Sequence, residues 1–485
     1  MSLEYPIEIS PDSILKLEEM VAARVESGGT PGIFATLFKG DQTFLEKGAG
    51  VRATGGTVPD SDTTFRIASC TKSFTIVALL MLRDEGKLNL DQLITDFVPE
   101  FTFSNLSSKK TIPTLRHLAS MASGLPTDDP WADRQESISP QELREIVGRG
   151  VNAVSTTGEL FQYSNLGFAL LGLTIESVSG RDFREFVSTQ ILKPLGMDQT
   201  GFNADDFPES DLAKGYRKVE ENWVELPFSP SGSFSSIGGL FSSGRDLRIW
   251  SNWFHSAFSE VALSEGLLSV ASRREMQYIQ TPVPLSAQPS DQERLAGYGL
   301  GLFVEYDRRF GQFVSHSGGY PGFSSHMRWH LPTGLSVVVL ENATYSGAVV
   351  AAIALMDAAL EALDFQLPQP EVWAITYEFA TKSDALVRNW SDTLAAEIFS
   401  ENVGLDIPFR ERAASIETLV GEVGGLGEFA GIILEKSDSP LHLVWKIPGN
   451  EGDLTCEIRL TPNTPTQVQT LKVKRSDDTN NAKTF

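Results

Sequence analysis

Three short groups of residues carry side chains that could act together in nucleophilic acyl transfer: Ser69-Cys70-Thr71-Lys72, Tyr163-Ser164-Asn165 and His316-Ser317-Gly318-Gly319. A serine hydroxyl attacks a carbonyl only when a neighbouring group takes its proton. Residues three apart on a helix share a face, so a helix starting near Ser69 brings the Lys72 amine to the Ser69 hydroxyl. The start of such a helix also offers a positive field and free N–H groups to a developing oxyanion. Tyr163 beside Lys72 is the candidate proton carrier. A phenol titrates near ~10, and an adjacent cation is expected to lower that value. Asn165 has an amide able to hydrogen-bond both Lys72 and a substrate carbonyl. The Gly318-Gly319 pair, at the end of a predicted strand, lets a substrate lie close against the strand edge. There the Gly319 N–H can join the Ser69 N–H as an oxyanion hole. A second Ser-x-x-Lys, Ser107-Ser108-Lys109-Lys110, stands in a polar stretch with no apolar run behind it.

The elements that would hold these groups can be read from periodicity. A short extended segment, residues 65–68, precedes Ser69, and a strongly apolar helix follows over about 70–85, ended by Gly86. Upstream, 13–26 reads as a helix, and 33–38 with 43–47 as a β-hairpin around Gly40-Asp41. From about 90 to 285 helices dominate, including one begun by Ser139-Pro140 and others over 166–177 and 183–192. Strand character returns over 298–306, 312–316, 325–330 and 335–340, and an amphipathic helix over 347–363 closes the unit. The expected fold is therefore α/β (α+β): an antiparallel sheet flanked by helices, interrupted by an all-α lobe. After Pro368 and Pro370, residues 371–485 read as a small α+β accessory domain distinct from a main domain over 1–367. Its expected helices are 374–399 and 408–423. Its expected strands are 429–434, 441–447 and 454–460, with 468–473 as a fourth.

Composition narrows the function classes. With 40 Lys+Arg against 63 Asp+Glu, the net charge is −23, which argues against nucleic acid and anionic membrane surfaces as partners. The longest apolar stretches, 74–82 and 348–356, fall well short of the ~20 residues of a membrane-spanning helix. The N-terminus has neither a basic region nor an apolar core, so a cytoplasmic location is expected unless an export signal has been removed. Two cysteines, Cys70 and Cys456, make no disulfide framework. There is no Gly-x-Ser-x-Gly elbow, phosphate loop or dinucleotide fingerprint. His326 and His330 are four apart but lack the Glu of a zinc helix, in a segment that alternates like a strand, and are read as sheet residues. No metal and no cofactor are expected.

In the order Ser-x-x-Lys, Tyr-x-Asn, His-x-Gly, the three groups resemble the serine hydrolase superfamily of class C β-lactamases, DD-carboxypeptidases, D-aminopeptidases and β-lactamase-like esterases. The match extends to 65–72 with its exit at 82–90, to 114–125, to Pro194-Leu195-Gly196-Met197, to Gly238-Gly239-Leu240 with Ser243 and Asp246, and to 316–323. The resemblance covers roughly residues 14–365. It implies a nucleophile at Ser69, proton transfer shared by Lys72 and Tyr163, and substrate or oxyanion contacts from Asn165, His316, Ser317, Gly318 and Gly319. The implied substrates are small esters, amides or D-amino-acid peptides, hydrolysed through an acyl-enzyme. A β-lactamase, a DD-carboxypeptidase and a sensor that is acylated without turnover are the alternatives on the same fold. Many β-lactamases have Lys where this chain has His316, which weakens the β-lactamase reading.

Overall fold

The computed structural model describes residues 7–104, 111–259, 263, 266–285 and 294–477. The second Ser-x-x-Lys, at 107–110, lies outside them. The chain forms two compact units, Met1–Leu367 and Pro368–Phe485.

In the first unit, β1 (Gly32–Lys39) and β2 (Gln42–Gly50) pair as a hairpin. The turn passes through Gly40 at φ +53°, a left-handed conformation that a Cβ disfavours. Four short strands follow: β3 (Thr64–Arg66), β4 (Gly215–Val219), β5 (Asn222–Leu226) and β6 (Phe241–Ser243), paired β3 with β6 and β4 with β5. The large sheet is completed by β7 (Thr281–Pro282), β8 (Arg294–Tyr298), β9 (Phe303–Asp307), β10 (Gly311–Tyr320), β11 (Phe323–His330) and β12 (Ser336–Glu341). Its order is β2-β1-β12-β11-β10-β9-β8-β7, with every pairing antiparallel.

Both faces of this sheet are covered. On one, Leu17 and Val21 of helix Pro11–Glu26 join Ala352, Leu355 and Ala359 of helix Ala348–Ala362 against Ile33, Leu37 and Val337. On the other, helix Thr71–Asp84, helix Asn165–Ser179 and the helix carrying Trp250 share one large core. Central strands β11 and β12 are buried along their whole length, as their continuous apolar and paired-polar sequences require.

The block between about 90 and 285 is mainly helical, and also contains the β4–β5 hairpin and β6. The run 298–306, expected to be one strand, is two: β8 and β9 joined by a turn in which the Gly299 N–H donates to Leu302 O. Gly301, at φ +69°, packs so tightly that a Cβ would lie 2.6 Å from Ile76 Cγ1 and 3.0 Å from Lys72 O. The glycines break the strand there and tuck its turn against the helix that follows Ser69.

The second unit packs helices Ala374–Arg388, Asp392–Ile398, Glu401–Asp406 and Phe409–Glu422 with a sheet of β13 (His442–Pro448), β14 (Asp453–Leu460) and β15 (Val468–Arg475). The helix expected over 374–399 breaks between Arg388 and Asp392. The segment 429–434 alternates but is not a strand: Phe429 and Ile433 are exposed, while Ile432 and Leu434 pack against the unit's core from an irregular stretch.

Candidate active site

Ser69 sits in a single 3₁₀ turn, Ala68–Cys70, that leads into helix Thr71–Asp84. It therefore precedes the first α-turn rather than opening it. Ala68 is held at φ +47°, a strained conformation for a residue with a Cβ. The turn is pinned by two hydrogen bonds: Ile67 N–H donates to Leu240 O, and Ser325 Oγ donates to Ile67 O at 2.7 Å. The helix behind it is buried almost all round, which its apolar sequence demands.

Lys72 is fully buried on that helix. Its Nζ lies 2.9 Å from Ser69 Oγ, 2.6 Å from Asn165 Oδ1 and 2.9 Å from Ile237 O. The two carbonyl-type oxygens can only accept, so two N–H bonds are spent on them. The third contact reverses with protonation: an ammonium donates to Ser69, whereas a neutral amine accepts the Ser69 proton. Burial dominates the balance and pulls the amine down to about 8, against the opposing pull of Asp129, Asp133 and Asp128. A lysine poised there can act as a base near neutral pH.

Asn165 is the first residue of helix Asn165–Ser179. Its amide is fixed at both ends, since Oδ1 accepts from Lys72 while Nδ2 donates to Asp129 Oδ1 at 2.5 Å. Asp128 accepts from the backbone N–H groups of Asn165 (2.7 Å) and Leu166 (2.9 Å), and the Ser164 hydroxyl caps Gly167 N–H. These acceptors satisfy donors that every helix start leaves open. Asn165 was expected to serve both Lys72 and the substrate; here Asp129 already takes one of its two amide hydrogens.

Tyr163 stacks parallel to Phe303 with centroids 6.3 Å apart, and Lys72 Nζ is 5.0 Å from its ring centroid. The expectation of a lowered phenol is overturned. Burial pushes Tyr163 well up, Tyr298, Asp129 and Asp133 push the same way, and a hydrogen bond with Ser69 opposes them. Its resting form is the neutral phenol, a donor.

The third group lies inside β10 rather than at its end. β9 pairs with β10 only over Gly311–Ser315, so the edge from His316 to Tyr320 carries no strand partner on that side among the described residues. Alternation puts His316 and Ser317 on opposite faces. His316 is buried, donates from Nδ1 to Ser317 O at 2.7 Å and accepts at Nε2 from Tyr298 Oη at 3.1 Å. Burial first, then the Lys72 charge, lowers it to about 3. It is a neutral imidazole throughout the physiological range. Gly318 fits because a Cβ there would lie 2.1 Å from Ile67 O, and at Gly319 a Cβ would lie 2.4 Å from Cδ1 of Tyr345.

These elements surround a cleft of about 380 Å³, lined by Ser69, Tyr163, His316, Ser317 and Gly319 with an apolar wall of Phe161, Val283 and Phe303. Asp129 and Tyr345 complete the lining, and the Tyr345 hydroxyl donates to Asp133, itself raised to about 6 by burial. Among the described residues lining the cleft, Asp129 is the one charged side chain. Asp128, Asp129 and Tyr345 escaped the sequence reading. Asp128-Asp129-Pro130 has the look of a helix start, but nothing in the local pattern ties it to Asn165, 36 residues away.

His326 and His330 both lie on β11. His330 is spent on Thr333 Oγ1 and Phe310 O. No group of three or more His, Cys, Asp or Glu suited to a metal occurs among the described residues, and no helix among them is long and apolar enough to cross a membrane.

An antiparallel sheet layered between helices, with a cleft lined by Ser69 and Tyr163 between sheet and helical lobe, defines the β-lactamase and penicillin-binding-protein fold. The chain belongs to the Beta-lactamase family, whose sequence profile matches residues 17–361. It is 28% identical to "Protein flp" of Staphylococcus aureus over 345 residues, 69% of this chain and 64% of that relative, so the match takes in less than two thirds of the relative's length. Among solved structures, the octameric penicillin-binding protein homologue from Pyrococcus abyssi aligns with 95% of this chain and 99% of its own, at TM-score 0.62 and 21% identity. The D-stereospecific amidohydrolase from Streptomyces sp. aligns with 70% of this chain and 97% of its own, at TM-score 0.56 and 25% identity.

Proposed function

We propose that the protein is a serine hydrolase that is acylated at Ser69 and releases the acyl group to water, acting on small esters, amides or D-amino-acid peptides. The observation that carries this reading is the buried Lys72 amine, held at about 8 and within 2.9 Å of Ser69 Oγ. In acylation, Ser69 Oγ bonds to the substrate carbonyl carbon while its proton passes to neutral Lys72. The oxygen of that carbonyl gains the displaced electron pair and is held by the Ser69 and Gly319 N–H groups. When the bond to the leaving group breaks, Tyr163 supplies the leaving atom's proton and is reprotonated from Lys72. Water then repeats the sequence on the acyl-enzyme. Asn165 keeps the amine aimed, and Asp129 keeps Asn165 aimed.

Substrate class follows from the cleft's charge. A neutral His316 offers no cation to a substrate carboxylate, and the one charged lining residue described is an acid. This supports uncharged or amine-bearing acyl groups over β-lactams, and the amide chemistry named for the Streptomyces relative agrees with it. The test is intact-mass analysis after a fluorophosphonate, with p-nitrophenyl esters, D-amino-acid amides and nitrocefin as substrates. One adduct that vanishes in Ser69→Ala, together with steady turnover of esters or amides, is expected. Labelling that persists in Ser69→Ala overturns the assignment; one equivalent of product followed by silence indicates a sensor.

A further inference from the structure

The cleft borders a second histidine that the acylation scheme does not use. His326 on β11 faces Ser317 on β10 in register, and its Nδ1 lies 2.8 Å from Ser317 Oγ. The side chain is 2% exposed, and its Nε2 is buried with no hydrogen-bond partner. Two tautomers could bridge to the serine. If the hydroxyl donated to Nδ1, the ring hydrogen would sit on Nε2, a buried donor with nothing to receive it. A buried N–H without an acceptor is among the costliest polar defects. If Nδ1 carries the hydrogen, Nε2 presents only a lone pair. The Arg328 guanidinium, fully buried on the same face of the same strand, favours a lone pair there over a hydrogen. Protonating both nitrogens is opposed by burial, by Arg328 and by His316.

The consequence falls on Ser317. Its oxygen is then occupied as an acceptor, and its own hydrogen has no acceptor among the described residues. Ser317 lines the cleft on the unpaired edge of β10, two residues before Gly319. At ~3.3 Å per residue, that is roughly 6.6 Å along the strand from the oxyanion position.

We propose that His326 is a positioning residue: by donating from Nδ1 to Ser317 Oγ it reserves the Ser317 hydroxyl hydrogen for a neutral carbonyl oxygen of the substrate, away from the scissile bond. A carbonyl is preferred to a carboxylate because the cleft's described charge is acidic. The proposal rests on the hydrolase reading for its substrate and on local geometry alone for its tautomer, so the two can fail separately.

The tautomer is read in the intact protein, labelled with ¹⁵N-histidine, from two-bond ¹H–¹⁵N correlations assigned with His326→Asn. Hydrogen on Nδ1 and a bare Nε2 are expected; a protonated Nε2 overturns the proposal whatever the enzyme's activity. The substrate arm compares p-nitrophenyl levulinate with p-nitrophenyl pentanoate, which differ by a ketone on the acyl half. A second pair, 3-acetylphenyl and 3-ethylphenyl acetate, places the carbonyl on the leaving half. In one pair the carbonyl should lower KM about three- to tenfold with little change in kcat, the range of one neutral hydrogen bond. Ser317→Ala and His326→Leu should erase that preference, whereas His326→Asn, whose amide N–H occupies the place of Nδ1, should keep it. A preference that survives Ser317→Ala, or its absence from both pairs in the parent, refutes the assigned role.

Discussion

The strongest test of the proposed chemistry is the pH dependence of acylation and its response to Asp129→Asn. Folding moves the Lys72 amine from 10.5 to about 8, roughly 2.5 units, or ~3.4 kcal/mol at 1.36 kcal/mol per unit. At pH 7 an amine at 8 is neutral in about one molecule in eleven, and an amine at 10.5 in about one in three thousand. Burial thus raises the working base by roughly 300-fold. Only the neutral amine can take the Ser69 proton, so kcat/KM for a p-nitrophenyl ester should rise tenfold per pH unit and level off above about 8. Asp129 is the foremost of the charges that hold the proton on Lys72. Replacing it with Asn removes the charge but keeps an oxygen for Asn165 Nδ2, so the limb should move to lower pH, by ~1 unit. Activity at pH 6.5 should then rise relative to the plateau. The same shift has a stability side. Lys72 is lowered on folding, so between about 8 and 10.5 the unfolded chain binds more protons than the folded one. Stability therefore climbs with pH across that window as the cost of the buried charge disappears. A limb centred near 10, or one that moves to higher pH in Asp129→Asn, would refute the assignment of Lys72 as base.

Other outcomes follow from single features. Tyr163→Phe and Lys72→Ala should each slow acylation by several orders of magnitude, with the double variant little worse than either single; simple additivity would mean that they act independently. A short p-nitrophenyl ester should beat nitrocefin in kcat/KM, because His316 stays neutral down to about 3; preference for nitrocefin at pH 7 would contradict this. Glu136→Gln leaves the Arg66 guanidinium buried without the carboxylate that meets it at 3.0 Å, so it should cost about 3–5 kcal/mol, measurable in urea unfolding. Cys70 is fully buried and its thiol is pushed up to about 12, so iodoacetamide at pH 8 should leave it unmodified until the protein is denatured. A chain ending at Leu367 should still be labelled at Ser69, with altered substrate range; loss of folding would show that the second unit is required.

Much of the candidate site is written locally. Ser69 and Lys72 are one helical turn apart on an apolar segment, and periodicity places that segment in the core. Tyr163 and Asn165 stand at a helix start, and the glycines after His316 announce a strand edge approached by other backbone. These are short-range signals, and physics at that range is read from neighbouring residues. The sheet's mixed glycines were read less well: Gly299 and Gly301 fold one apparent strand into a hairpin because that turn must fit against Ile76, a contact invisible to periodicity. The alternating 429–434 has the pattern of a strand, yet among the described residues no strand pairs with its backbone, although Ile432 and Leu434 pack against the core.

What only the tertiary structure decided is the state of the groups. The same Tyr163 that a neighbouring cation should make acidic is held neutral, because burial, Tyr298 and two carboxylates outweigh the opposing hydrogen bond with Ser69. His316 loses its charge and Lys72 comes down towards neutrality for the same reason, since desolvation depends on what packs around a group and not on its flanking sequence. Asp129 reaches Asn165 across 36 residues, and His326 meets Ser317 only because β10 and β11 pair in one register. Residue types and their order belong to the sequence. Protonation, tautomer and the direction of each hydrogen bond belong to the packed interior, where charges leave water and every donor must find its acceptor.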